Sequence, residues 1–151
     1  MELRQPSIRV VFVLLPGSLV LDWAGPAEAL RIANQRLRAA GRPERFEIEF
    51  ASPRPTSVGS VGVALANLAP LPVQWHGPAW VVLVGLPGDF IPIDNPETQD
   101  LLHWLRGQRF EPGRLELITV CAGALLAAHA GALSGRRATT HHHHLDELRA
   151  V

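Results

Sequence analysis

The chain carries one thiol, and its surroundings are those of a side chain presented for chemistry. In "ELITVCAGALLAAHAGALSGRRATTHHHHLDEL", residues 116–148, Cys121 follows an apolar run and precedes Ala122, Gly123 and an Ala/Leu-rich stretch. A strand that turns sharply into a helix lifts the residue at the turn off the carboxyl edge of a sheet, where α/β proteins place their sites. Small residues at 122 and 123 let the backbone fold tightly beneath the sulfur. A following helix N-terminus adds unpaired N–H groups and partial positive charge, which favour anionic, nucleophilic sulfur. The competing role is packing, since a free cysteine also fills cores as a small apolar residue. The strand–turn–helix setting points to a reactive or ligand-sensing thiol.

A second concentration of chemistry-bearing residues is the run His141 to His144. Four adjacent histidines cannot all converge on one ion, so no metal site is expected. A helix from about Thr140 would put His141 and His144 on one face. Leu145 and Leu148 would then form a core stripe, with Asp146 and Glu147 in solvent. His129 lies eight residues beyond Cys121, too far along a helix axis to reach the sulfur. Of the tryptophans, Trp75, Trp80 and Trp104 suit packing.

The elements that must position the thiol follow from periodicity. "IRVVFVLL" (8–15) and "AWVVLVG" (79–85) read as strands buried on both faces, and "LELITV" (115–120) as a third. "RFEIEFAS" (45–52) alternates, which suits a more exposed strand, and "VGVALAN" is a weaker extended stretch. A helical pattern starts at Gly25-Pro26 and stops at Gly41. Another opens at Pro96 with Leu101, Leu102 and Leu105 as its core stripe and Gly107 after it. Residues 122–130 form the helix behind the thiol. Alternating strands and helices of these lengths predict an α/β fold with a parallel sheet and right-handed crossovers.

Composition narrows the classes. With 151 residues, 47% of them hydrophobic and 19% charged, the chain fits one globular domain. Formal net charge is zero, so no global attraction to nucleic acid is expected and no direct DNA binding by this chain. The apolar run Val10 to Leu15 is short and stopped by Pro16 and Gly17, so neither a signal peptide nor a membrane span is expected. A single cysteine suits a reducing compartment, and the cytoplasm is the expected location.

Three segments in order, "LLPGSLVLDWAGPAEAL", the Cys–Ala–Gly turn and "AGALSGRRATTH", resemble the ThiJ/PfpI family of the class I glutamine amidotransferase-like superfamily. The likeness runs from Ile8 to Leu148. It is strongest to the N-terminal domain of AraC-type transcription regulators and to isonitrile hydratases. It implies a flavodoxin-like, three-layer sandwich around a mostly parallel sheet. The family's elbow cysteine falls on Cys121 and its acidic partner on Asp22, whose alternative role is to cap the helix around Gly25-Pro26. The turn "VGLPGD" resembles the family's Pro–Gly loop, so Gly88 and Ala122 are the expected N–H donors to an oxyanion. Trp23, beside Asp22, would line the pocket, and His141 matches a family histidine. Peptidase-like members carry His, and hydratases often Thr, where this chain has Ala122; a Cys–His protease is therefore disfavoured.

The resemblance also implies a further strand and helix after "TTH", so residues 1–151 read as a single domain lacking them. The expected function is sensing of an unknown small ligand at the Cys121 pocket, with homodimers plausible for the family. The alternatives are a cysteine-dependent hydrolase or lyase, such as an isonitrile hydratase, and an inactive fragment of either. No cofactor is implied.

Overall fold

The computed structural model describes residues 6–151. Four strands form one parallel sheet in the order β2-β1-β5-β6: β1 (Ile8–Val13), β2 (Phe46–Ala51), β5 (Ala79–Leu83) and β6 (Leu115–Thr119). Between β2 and β5 a small antiparallel hairpin, β3 (Ser57–Val58) and β4 (Ala64–Leu65), stands apart from the sheet. The helices are α1 (Val20–Ala39), α2 (Pro96–Arg106), α3 (Gly123–His129) and α4 (Leu145–Ala150), the last preceded by a 3-10 turn at His142–His144. The expected three-layer α/β sandwich is what the chain forms.

Strand pleating sorts the core into two halves. Val11, Val13, Leu15, Val81 and Leu83 join Leu101, Leu102 and Leu105 of α2 and Leu125 and Leu126 of α3 on one face. Val10, Phe12, Leu14, Val82 and Val84 join Ala27 of α1 on the other. Because β1 and β5 are buried on both faces, they read in sequence as unbroken apolar runs. The alternating β2 is an edge strand, and its Glu49 pairs with Arg9 of β1 at 2.8 Å.

Two boundaries differ from the sequence reading. α1 begins at Val20 rather than at Gly25-Pro26, and Pro26 lies inside it. Proline there forgoes only the bond that would reach the carbonyl of Asp22, a loss a long helix absorbs early in its course. Between Leu15 and Ser18 the chain makes a tight turn, with Gly17 at φ 83° and Ser18 Oγ accepting from Leu15 N–H at 2.9 Å. The histidine run is a 3-10 turn, so His144 is buried and Glu147, expected in solvent, meets it at 2.9 Å. No residue of α4 is fully buried, and Leu148 is only partly covered against the α2–α3 face.

α1 is fastened to β2 by a polar contact that periodicity does not reveal. The buried Asn34 amide donates to Phe46 C=O at 2.7 Å, and its Oδ1 accepts from Arg45 and Phe46 N–H, each at 3.0 Å. Removing that side chain strands three backbone groups at the start of an edge strand, each worth about 1 kcal/mol or more when left unpaired. Asn34→Ala is expected to lower stability by about 2–3 kcal/mol, read from urea denaturation, with little change in the slope of the transition.

Candidate functional site

The site is built where three parallel strands end. β1 delivers Asp22 in the first turn of α1, β5 delivers Gly85, and β6 delivers Cys121. The strands behind Asp22 and Cys121 are not neighbours, since β5 lies between β1 and β6. The crevice between β1 and β5 is the switch point, where the chain leaves β1 for β2 on one side and lies beside β5 on the other.

Cys121 is half-buried and adopts φ 53°, one of two non-glycine residues with positive φ among the described residues. The elbow is closed by Gly123 N–H donating to Val120 C=O at 2.9 Å, and it is tied to the sheet by Val120 N–H donating to Leu83 C=O at 2.8 Å. Gly123 admits no other residue. A Cβ there would lie 2.4 Å from Leu83 C=O and 2.7 Å from its carbonyl carbon. On the far side, Thr140 Oγ1 donates to Cys121 C=O at 3.2 Å, so the segment after α3 folds back over the elbow. Backbone held in this region by a residue other than glycine costs on the order of 1–3 kcal/mol and persists where the surroundings impose it.

Asp22 and Cys121 share a corner without bonding to each other: among the described residues, no hydrogen bond joins them. Asp22 Oδ2 accepts from Gly85 N–H at 3.0 Å. Leu19 N–H in turn donates to Gly85 C=O at 2.9 Å, which locks the start of α1 to the end of β5. A Cβ placed on Gly85 would lie 2.8 Å from Asp22 Oδ2 and 3.2 Å from Cys121 Cβ. Gly85 is thus packed against the carboxylate, the Leu19 methyl and the thiol-bearing carbon, with no room for a side chain. The Ala122 N–H, at the head of α3, has no hydrogen-bond partner among the described residues.

His141 joins this corner. Partial burial holds its imidazole below the usual value of 6.5, and His142, His143 and His144 add to that effect, while the Asp22 carboxylate pulls the other way. Its Nδ1 accepts from His143 N–H at 3.4 Å.

Two expected members sit elsewhere. Trp23 stacks edge-on against Phe50 at 5.5 Å and lines a hollow of about 370 Å³ with Leu14, Ile48, Leu65 and Leu68, on the α1 face of the sheet. Side chains on successive helical residues point in different directions, so adjacency to Asp22 in sequence does not bring Trp23 to the thiol. Gly88 is exposed with φ 113°, and the atom a side chain there would meet first is Phe90 C=O. The glycine that touches Cys121 is Gly85. It was readable as the residue ending a fully buried strand, a position where glycine signals close approach.

No family model matches the chain. It is 33% identical over 147 residues to an uncharacterized protein in the cpoL 5′ region of Streptomyces lividans, covering 93% of this chain and 92% of that one. Its fold matches a ThiJ/PfpI family protein from Pseudomonas syringae with TM-score 0.59 at 16% identity, over 87% of this chain and 49% of that one. The chain has the fold of ThiJ/PfpI-like domains. The chain is also 30% identical over 135 residues to the HTH-type transcriptional regulator CdhR of Pseudomonas aeruginosa, across 89% of this chain and 37% of that protein. An AraC family transcriptional regulator from Pseudomonas putida shares the fold with TM-score 0.70 at 20% identity, over 96% of this chain and 72% of that one.

Two measurements probe the site. Cys121→Gly is expected to raise stability by about 1 kcal/mol, because glycine takes φ near 53° without strain. An unchanged or lowered denaturation midpoint would show that the elbow holds no strain. In an NMR titration the His141 imidazole is expected to have a midpoint below 6.5, and Asp22→Asn is expected to lower it further by removing the charge that favours the imidazolium. The sign extends to folding. With its pKa depressed in the folded state, His141 leaves the unfolded chain binding more protons as pH falls below 6.5, so this residue's contribution lowers stability in acid.

Proposed function

We propose that this ThiJ/PfpI-like domain binds a small ligand at the Cys121–Asp22–His141 corner and serves as the sensing part of an AraC-type transcription regulator. The observation that carries the reading is the 30% identity to the regulator CdhR along 89% of this chain. The site's chemistry is compatible with it. A carboxylate and a thiol flank Gly85 at this corner, and the Ala122 N–H can donate to a developing or fixed negative charge. Base recognition would belong to another part of such a regulator, since this chain has zero formal net charge. No helix among the described residues is long and apolar enough to cross a membrane.

A second reading draws on the strained elbow itself. A thiol lifted into the αL region beside a carboxylate is suited to adding across a small electrophile such as an isonitrile. The sulfur would bond to the terminal carbon as that carbon gains a proton, giving a thioimidate. Water would then add, release the thiol and leave an N-substituted formamide, so that the net change is addition of one water. In this reading Asp22 would pass the proton.

One set of variants separates the readings. A thermal-shift screen of small metabolites is expected to yield ligands that raise the melting temperature of the native chain by several degrees. Gly85→Ala, which crowds the Asp22 carboxylate and Cys121, should abolish the shift while the chain stays folded. Incubation with tert-butyl isonitrile should release no formamide. Catalytic formamide formation that vanishes in Cys121→Ala and Asp22→Asn would establish the enzyme instead. Ligands whose effect survives Gly85→Ala would place the sensing site elsewhere.

A further inference from the structure

After β5 the chain crosses the carboxyl edge of the sheet as a short flap held at two points. Leu86 and Ile91 are buried in the core beside α2 and α3, while Pro87, Gly88, Asp89 and Phe90 between them are exposed. Among the described residues, no backbone N–H or C=O from Leu86 to Phe90 takes part in a hydrogen bond. Gly88 has φ 113°, and the nearest atom a side chain there would meet is Phe90 C=O at 3.7 Å, within the flap itself. The flap can therefore shift without breaking a hydrogen bond, about the residue type whose backbone is least restricted.

Its two ends fix where it stands. Gly85, one residue before the first anchor, packs against the Asp22 carboxylate and Cys121 Cβ. The Pro87 ring lies 3.7 Å from the place of a Cβ on Gly17, in the turn that leads from β1 into α1. The flap thus bridges the two banks of the crevice between β1 and β5. Phe90, at its far end, is 78% exposed and is the only Phe or Trp left exposed among the described residues. Scattered exposed valines are ordinary at a protein surface. An aromatic ring on an untethered flap beside a half-buried thiol stands where an entering molecule can bury it.

We infer that the Pro87–Phe90 flap closes over a molecule held at the Cys121–Asp22–His141 corner, and that Phe90 selects molecules whose outer end is aromatic or bulky and apolar; this rests on that corner being a ligand site. The division of labour follows from what each bank offers. The corner supplies a carboxylate, an imidazole and a thiol, which suit the polar end of a small molecule. The flap supplies a ring, which suits an apolar end. Closure costs little at the hinge, because the anchors Leu86 and Ile91 stay in the core while the four residues between them rearrange. A ligand without an apolar end leaves the ring in water and gives the flap no reason to close.

The test uses the full chain and two alkylating agents with the same reactive group, iodoacetamide and N-benzyl iodoacetamide, with N-acetylcysteine as the reference thiol. At Cys121 of the native chain the benzyl reagent is expected to gain on iodoacetamide by roughly two- to tenfold over the reference ratio, the range set by one aromatic pair. Phe90→Ala is expected to return the ratio to that of N-acetylcysteine with an unchanged melting temperature, and Phe90→Leu to keep part of the gain. Amide hydrogen exchange supplies a second readout. The benzyl adduct is expected to slow exchange at Asp89 and Phe90, and the smaller carbamidomethyl adduct to leave it unchanged. A reference ratio in the native chain, a gain that survives Phe90→Ala, or a benzyl adduct that leaves the flap unprotected overturns the inference while the corner keeps its reactivity with iodoacetamide. A Cys121 that neither reagent reaches until the chain is unfolded overturns the ligand site and the flap's role together.

Discussion

The contact on which this molecule turns is the one between Gly123 and the carbonyl of Leu83. Helix α3 begins so close to β5 that a single carbon on residue 123 would lie 2.4 Å from Leu83 C=O. Backbone on backbone at that distance cannot be relieved by a rotamer change. The approach lets α3 start directly after β6, which forces the intervening residue into the left-handed region and lifts its side chain above the sheet edge. Cys121 is displayed because Gly123 is bare. The buried seam of α3 with α2 then holds the arrangement, since Leu125 and Leu126 face Leu101, Leu102 and Leu105 in a single apolar cluster.

Around that elbow, the site is assembled by backbone more than by side chains. The carboxylate of Asp22 is oriented by the Gly85 amide, the Gly85 carbonyl is held by the Leu19 amide, and the Cys121 carbonyl receives the hydroxyl of Thr140. Each link joins a different strand end or the segment returning after α3. A site of this kind is held by the same bonds that close the sheet, so its geometry is kept as long as the sheet keeps its register.

How much of this was legible depended on whether a feature was periodic or local. The two fully buried strands, the α2 stripe with its Pro96 start and Gly107 stop, and the strand–Cys–Gly–helix pattern all follow from spacing, and the structure places them as read. What spacing misses is contact between distant backbone. Asn34 reaching β2 and Gly85 standing between Asp22 and Cys121 leave no periodic trace, because each depends on which strands become neighbours. For that reason the Pro–Gly turn points to Gly88, whereas the glycine packed against Cys121 is Gly85. Trp23 was misplaced because neighbours along a helix diverge by about 100° in direction. The histidine run was read as helical, but its residues close a 3-10 turn, and that tighter winding buries His144 beside Glu147.

Gly85 and Gly123 carry different evolutionary liabilities, although both lie against neighbouring atoms. An alanine at 123 collides with the main chain, so the substitution is answered by the fold itself. An alanine at 85 meets mainly the ends of two side chains, the Asp22 carboxylate and the Leu19 methyl, with Cys121 Cβ crowded at 3.2 Å. Glycine and alanine codons differ by a single base. One point mutation can therefore close the site while leaving the scaffold intact, and one reversion can open it again. In a lineage where the ligand disappears, the pocket can fall silent and be recovered without the protein ever passing through an unfolded ancestor.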